Sequence, residues 1–163
     1  MRNPHPPATA HIAGHPLHPM LIPLPLTFFM SVFATDLIFI FTGDPAWAVG
    51  SKWLLIAGLI TAVLAALAGF ADFLGSRRVR ALPLAWAHMI GNVAVVLVEV
   101  FNLLLRVNGQ EVDAIQPLGV LLSGGAFAIL GFTGWAGGEL VFRHGVAVVD
   151  EAAHQQPLDR PES

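Results

Sequence analysis

Four long apolar runs, separated by short polar stretches, dominate this chain. They cover residues 20–41 (MLIPLPLTFFMSVFATDLIFIF), 53–74 (WLLIAGLITAVLAALAGFADFL), 82–105 (LPLAWAHMIGNVAVVLVEVFNLLL) and 118–142 (LGVLLSGGAFAILGFTGWAGGELVF). Each holds 22 to 25 residues, and at about 1.5 Å per residue that crosses a hydrocarbon core of about 30 Å. Only a helix pairs all its backbone groups within one lipid-exposed segment. The pattern therefore predicts an all-α, integral membrane four-helix antiparallel bundle with up-down-up-down order. Residues 14–146 form the predicted transmembrane domain. Residues 1–13 and 147–163 are polar, contain proline and read as disordered tails. No repeat period and no second domain is visible in the pattern.

Composition strengthens this reading. Of 163 residues, 55% are hydrophobic and only 12% charged, against roughly 25% charged in soluble domains. The net charge of −3 gives no reason to expect nucleic acid as a partner. There is no cysteine, which removes disulfides, thiolate metal sites, iron–sulfur clusters and cysteine catalysis. The leader ahead of residue 20 is rich in proline and histidine, so no secretory signal is expected. If the arginine-bearing turn GSRRVRA faces the cytoplasm, so do both termini. Arg2, Arg77, Arg78, Arg80, Arg143 and Arg160 then lie inside, leaving Lys52 and Arg106 outside. That bias predicts a multi-pass protein of the bacterial inner membrane with both termini cytoplasmic.

Ionisable residues in lipid are costly, and their positions narrow the chemistry. In the third run His88, Asn92, Val95, Glu99, Asn102 and Arg106 advance by fours and threes. Such steps keep them on one helical face, which must point into the bundle or a water-filled crevice. The stripe reads either as a packing seam of interhelical hydrogen bonds or as a site, or a proton or small-ion path. Topology sorts the polar groups into two layers. His15, His18, Asp72, His88, Asn92, Glu139, Arg143 and His144 gather toward the cytoplasmic face. Asp36, Glu99, Asn102, Arg106 and Lys52 gather toward the other, where ion pairing of Asp36 and Glu99 with Arg106 or Lys52 would lower the cost of burial.

Two stripes of small residues predict close helix packing: Gly124, Ala128, Gly131, Trp135 and Gly138 in the fourth run, and Gly58, Ala62, Ala65 and Gly69 in the second. At the head of the first run stands GHPLHPML. Pro19 suits the first helical position, with His18 before it as a cap-like residue, and Pro23 and Pro25 then loosen the first turns. A stiff helix start with interfacial histidines is one reading. The other joins His15 and His18 to His88 as ligands of haem b or a divalent metal, with Asp72, Asn92 or Glu139 orienting the imidazoles. Covalent catalysis is not expected. Ser76 reads as a loop residue, and there is no phosphate loop, H-E-x-x-H helix or paired-carboxylate motif. His5, His11 and His154 lie in the tails.

The segments GHPLHPMLIPLPLTFFMSVFATDL, AGFADFLG and AHMIGNVAVV together resemble the bacterial membrane proteins of the domain-of-unknown-function 2231 family. The likeness runs over roughly residues 12–144, and the histidine–proline opening is its most specific part. It implies a compact four-helix membrane domain of unestablished activity. Some relatives are joined to Rieske-type or other redox modules, which implies an electron-transfer setting by association. By motif position His15, His18, Asp72, His88 and Asn92 carry over. The expected partners are the lipid bilayer, separate redox proteins and further copies of the chain. The leading expectation is an electron-transfer component with a cytoplasmic-side histidine cluster. The alternatives are an accessory membrane protein whose polar layer only packs, and a proton or ion conduit.

Overall fold

The computed structural model describes residues 10–13, 15–107 and 109–148. The expectation of disordered tails, and His5 and His154 with it, falls largely outside them. Two-residue strands β1 (His11–Ile12) and β2 (His15–Pro16) pair antiparallel and lead into α1 (Leu17–Leu21) and α2 (Pro23–Thr42). There follow α3 (Pro45–Gly75), α4 (Arg77–Arg80), α5 (Pro83–Arg106), a π-helical turn (Ile115–Gly119) and α6 (Val120–Phe142). Four stretches are long and apolar enough to cross a membrane: Leu17–Thr42, Pro45–Gly75, Pro83–Arg106 and Ile115–Phe142. The chain is an all-α membrane bundle.

The helix starts differ from the pattern-based ones for physical reasons. α1 begins at Leu17, with Pro16 as its cap, so His18 lies inside the helix and Pro19 is its third residue. The first four helical N–H groups have no partner within a helix, so the donor missing at Pro19 costs nothing there. Pro23 opens α2 at its first position, which marks the break at Ile22. α3 starts at Pro45 and not at residue 53, because Asp44 caps it by accepting the Ala46 N–H at 2.9 Å. Gly43 closes α2 with φ 68°, the left-handed conformation that glycine adopts freely. The arginine turn is itself a short helix, α4, capped by the Ser76 hydroxyl, so Ser76 is more than a loop residue. Val79 of α4 is buried with Phe73, Ala85 and Leu140, which pins the turn to the bundle end.

Around the bundle, α2 packs along α3 and α6, and α5 packs along α6 and α3, while α1 lies on α3. α2 and α5 are thus the diagonal pair. All four long helices meet in an apolar middle layer of Phe29, Ala62, Val95, Ala126 and Leu130. The small-residue stripe of α3 is a true seam: a Cβ on Gly58 would press into the Phe29 ring, and one on Gly69 into His18. The expected stripe of α6 is a seam only at Gly124, where an added Cβ would lie 3.1 Å from the Phe33 ring. Gly131 and Gly138 have no neighbouring atom within 4 Å of an added Cβ, and Trp135 is 58% exposed. α6 instead packs through Ser123, Ala126, Leu130, Thr133 and Ala136. Glycine occurs on several faces of this helix, so glycine spacing alone does not tell which face is inward.

The buried positions also uncover a repeat that the residue types hide. In α2 they are Pro25, Phe29, Val32 and Asp36; shifted by 70 residues these become Val95, Glu99, Asn102 and Arg106 of α5, all buried. In α3 the run Ser51, Leu55, Gly58, Ala62, Ala65 and Ala68, shifted by 68, becomes Gly119, Ser123, Ala126, Leu130, Thr133 and Ala136, again all buried. The chain is therefore two helical hairpins with one packing register, contrary to the expectation of no repeat. Equivalent residues meet each other only on a two-fold axis. Asp36 meets Arg106 and His18 meets His88, so an approximate two-fold axis runs along the bundle, with one pair near each end.

Candidate functional site

At the end of the axis distal to α4, Arg106 reaches across the diagonal from α5 to α2. Its Nη1 and Nη2 donate to Asp36 Oδ1 and Oδ2 at 2.8 and 2.7 Å. This bidentate geometry matches the guanidinium fork to both carboxylate oxygens. Nη1 also donates to Ser51 Oγ at 2.7 Å, and Nε donates to Asn102 Oδ1 at 3.0 Å. Ser51 Oγ of α3 and Ser123 Oγ of α6 donate to the two Asp36 oxygens at 2.6 and 2.8 Å. All four long helices thus contribute to one polar knot, in which Asp36, Ser51, Asn102, Arg106 and Ser123 are fully buried. Asn102 Nδ2 extends it by donating to Glu99 Oε2 at 2.9 Å. Lys52, the other cation of this end, pairs with Glu111 at 3.0 Å.

At the opposite end the His18 and His88 rings lie with centroids 6.3 Å apart and planes at 88°. Each ring is held the same way by its own hairpin. The His18 Nδ1–H donates to the carbonyl oxygen of Ala65, and the His88 Nδ1–H to that of Thr133, both at 2.8 Å. One turn further along each acceptor helix is a glycine. A Cβ on Gly69 would stand 2.7 Å from His18 Cε1, and one on Gly137 would stand 3.0 Å from His88 Cε1. Absence of a side chain lets each imidazole lie against the helix and reach the carbonyl four residues back. A carbonyl oxygen only accepts, so Nδ1 carries the proton, and in the neutral ring Nε2 keeps its lone pair. Each ring of the pair therefore keeps one nitrogen free of its carbonyl bond.

The remaining expected members fall elsewhere. His15, at the start of β2, is exposed and bonds through Nδ1 to the Ala13 carbonyl at 3.0 Å. The strand-to-helix change after Pro16 separates it from the His18 arrangement. Asp72 accepts the Ala10 N–H at 2.8 Å and so holds the N-terminal segment against the end of α3. Glu139 pairs with Arg143 one turn on, at 2.9 Å. Asn92 Nδ2 donates to the His88 carbonyl at 2.7 Å, and its Oδ1 accepts from Thr133 Oγ1 at 3.5 Å, which places it beside the residue that holds His88. The imidazoles are oriented by main-chain carbonyls, in the role expected of Asp72, Asn92 or Glu139. Among the described residues no three histidine or carboxylate side chains converge to hold a metal ion.

Sequence reasoning missed Ser51, Ser123 and Thr133, and the role of Gly69 and Gly137 under the rings. The Asp44–Pro45 pair was the available signal for Ser51, since it extends α3 back past that residue.

The helices, their length and the buried polar knot define a multi-span all-α membrane protein. The family model described as predicted membrane protein (DUF2231) matches residues 14–150, and the chain belongs to that family. Neither a curated protein nor a solved structure matches it.

Proposed function

We propose that this protein is an electron carrier of the bacterial inner membrane, whose His18 and His88 are the two protein ligands of one haem b. The observation that carries the reading is the imidazole pair on the axis, 6.3 Å between centroids. His18 and His88 would hold the metal through the ring nitrogens that the Ala65 and Thr133 bonds leave free. Ligand count separates the candidates. A protein zinc site draws three or four ligands from the chain, whereas a haem would need only these two histidines from it. Two histidines with no third histidine or carboxylate beside them among the described residues suit the haem better than a bare divalent ion. The haem would supply one-electron chemistry. The chain would supply fixed ring orientation through Ala65 and Thr133, which also makes Nε2 the more basic nitrogen. Electrons would pass to separate redox proteins on the cytoplasmic side, where the arginine turn and both termini lie in this reading.

A second reading has its own support: both Nδ1 protons are already bonded, so the histidines could serve only to lock each hairpin. An absorption spectrum with metal analysis, on protein purified in mild detergent from haem-replete cells, separates the two. The carrier predicts a Soret band at one haem per chain, lost in His88→Ala with helicity retained. Colourless, metal-free protein would sink it in favour of the lock.

A further inference from the structure

Glu99 stands apart from both sites. Its Oε2 accepts from Asn102, but Oε1 is buried without a hydrogen-bond partner, and the residue is fully shielded. The charges around it are already balanced. α2 brings Asp36 and α5 brings Arg106, which neutralise each other through two hydrogen bonds; α3 and α6 bring the neutral Ser51 and Ser123, and Lys52 of α3 is itself paired with Glu111. An ionised Glu99 would leave one uncompensated negative charge inside the bundle, an arrangement strongly disfavoured in lipid.

Packing does not require a carboxyl at this place. The equivalent position of the first hairpin is Phe29, and that of Asn102 is Val32, both buried in the same register. The fold thus holds an apolar residue at one copy of the position and a titratable one at the other.

Beyond Glu99, α5 runs on through the fully buried Asn102 and Arg106 to an open cavity at the bundle end. Six residues past Glu99, about 9 Å at the helical rise, Leu105 lines this cavity of about 290 Å³ together with Gln110, Asp113, Ala114, Gln116 and Leu118. Ala114 of that wall and the Arg106 guanidinium meet at Gly119, where an added Cβ would sit 2.6 Å from the Ala114 carbonyl oxygen and 3.0 Å from Nη2. On the other side Ala62, Val95 and Leu130 of the apolar layer lie between Glu99 and the histidines.

We propose that Glu99 is a proton-binding site of the membrane interior, exchanging with the cavity side through the Asn102–Arg106 end and not through the apolar layer. In the exchange the O–H bond of the Glu99 carboxyl breaks, a water entering from the cavity accepts the proton, and the carboxylate remains with its bond from Asn102. The bundle interior then changes by one unit of charge. This inference goes beyond the haem reading and does not rest on it.

The test is infrared difference spectroscopy of the full chain in lipid nanodiscs, whether the protein is coloured or not. The wild type is compared with Glu99→Gln, and with Glu99→Asp should the amide fail to fold. The expected result, between about pH 5 and 9, is one protonated-carboxyl band that is lost in Glu99→Gln or displaced in Glu99→Asp. In the wild type it shifts within hours of transfer to D2O. Absence of any band assignable to Glu99 overturns proton binding. A band that stays unshifted in D2O over a day overturns exchange and leaves a sealed structural carboxyl.

Discussion

Interchanging Asp36 and Arg106 tests the two-fold relation and the charge chemistry together. Asp36→Ala removes the carboxylate to which both Nη atoms of a fully buried guanidinium donate, leaving it only Ser51 and Asn102. Removing one member of a buried pair costs about 3–5 kcal/mol. A loss of 3 kcal/mol or more is a large part of a total stability of about 5–15 kcal/mol. Arg106→Ala strands Asp36 with two serine hydroxyls and falls at the lower end of that range. In the double variant Asp36→Arg/Arg106→Asp the new side chains occupy equivalent positions across the axis and reach each other again. Recovery is partial, because the equivalent of Asn102 is Val32 and that of Ser123 is Leu55. Two or three hydrogen bonds at about 0.6–1.7 kcal/mol each are then missing.

The double variant should accordingly lie about 1–5 kcal/mol below wild type and above both single charge reversals, Asp36→Arg and Arg106→Asp. The measurement is reversible unfolding of the purified full chain in mixed micelles, followed by helicity across a denaturing-detergent titration. A double variant no more stable than the weaker of the two reversals would refute the equivalence of the two positions, and with it the axis.

The glycines under the imidazoles should be sensitive in a different way. Gly137→Ala forces the His88 ring off Thr133 by a few tenths of an ångström, and Gly69→Ala displaces His18 further. Both should reduce haem content in the spectrum, with stability changes within about 1–3 kcal/mol; unchanged haem binding in both would contradict the proposed ligation. His15→Ala should leave spectrum and stability alike, and loss of the Soret band on that change would return His15 to the ligand set. The carboxyl of Glu111, in the segment joining α5 to the π-helical turn, is held below its ordinary range by its own backbone N–H and by the Lys52 ammonium. Its folded value is depressed, so its contribution is present above about pH 4.3 and is lost as the pH falls through the lower folded value. An acid titration of stability should show a limb that Glu111→Gln removes; identical acid limbs would contradict the pairing.

The spans were legible because an apolar run of 22 to 25 residues has few other uses. The α5 stripe was legible because its members are strongly polar in an apolar background, so a step of three or four residues fixes their face; Glu99, Asn102 and Arg106 are indeed buried. Ser51, Ser123 and Thr133 share that inward facing, but small hydroxyl residues are ordinary in lipid-facing helices and give no contrast. The inward face of α6 was misread for the same reason, since its glycines surround the helix. In the histidine–proline opening, spacing alone joined His15 to His18; the structure separates them because the chain is extended at one and helical at the other.

The repeat was hidden for a more informative reason. It is conserved between the hairpins as burial and not as residue type: Phe29 stands opposite Glu99, Val32 opposite Asn102, and Asp36 opposite Arg106. Where both halves hold the same residue, as at His18 and His88, identity is not needed for packing, because each ring is already satisfied by a carbonyl of its own hairpin. A shared histidine at the axis places two identical ligands at one point. A carboxyl paired with a phenylalanine breaks the symmetry only in charge. Both departures from what packing demands lie on α5, one near the α4 end and one toward the other, about 16 Å apart at the helical rise. A charge arriving at the histidines and a proton arriving at Glu99 would then be separated by the apolar layer, and each could change the bundle's internal charge while the packing register stays the same.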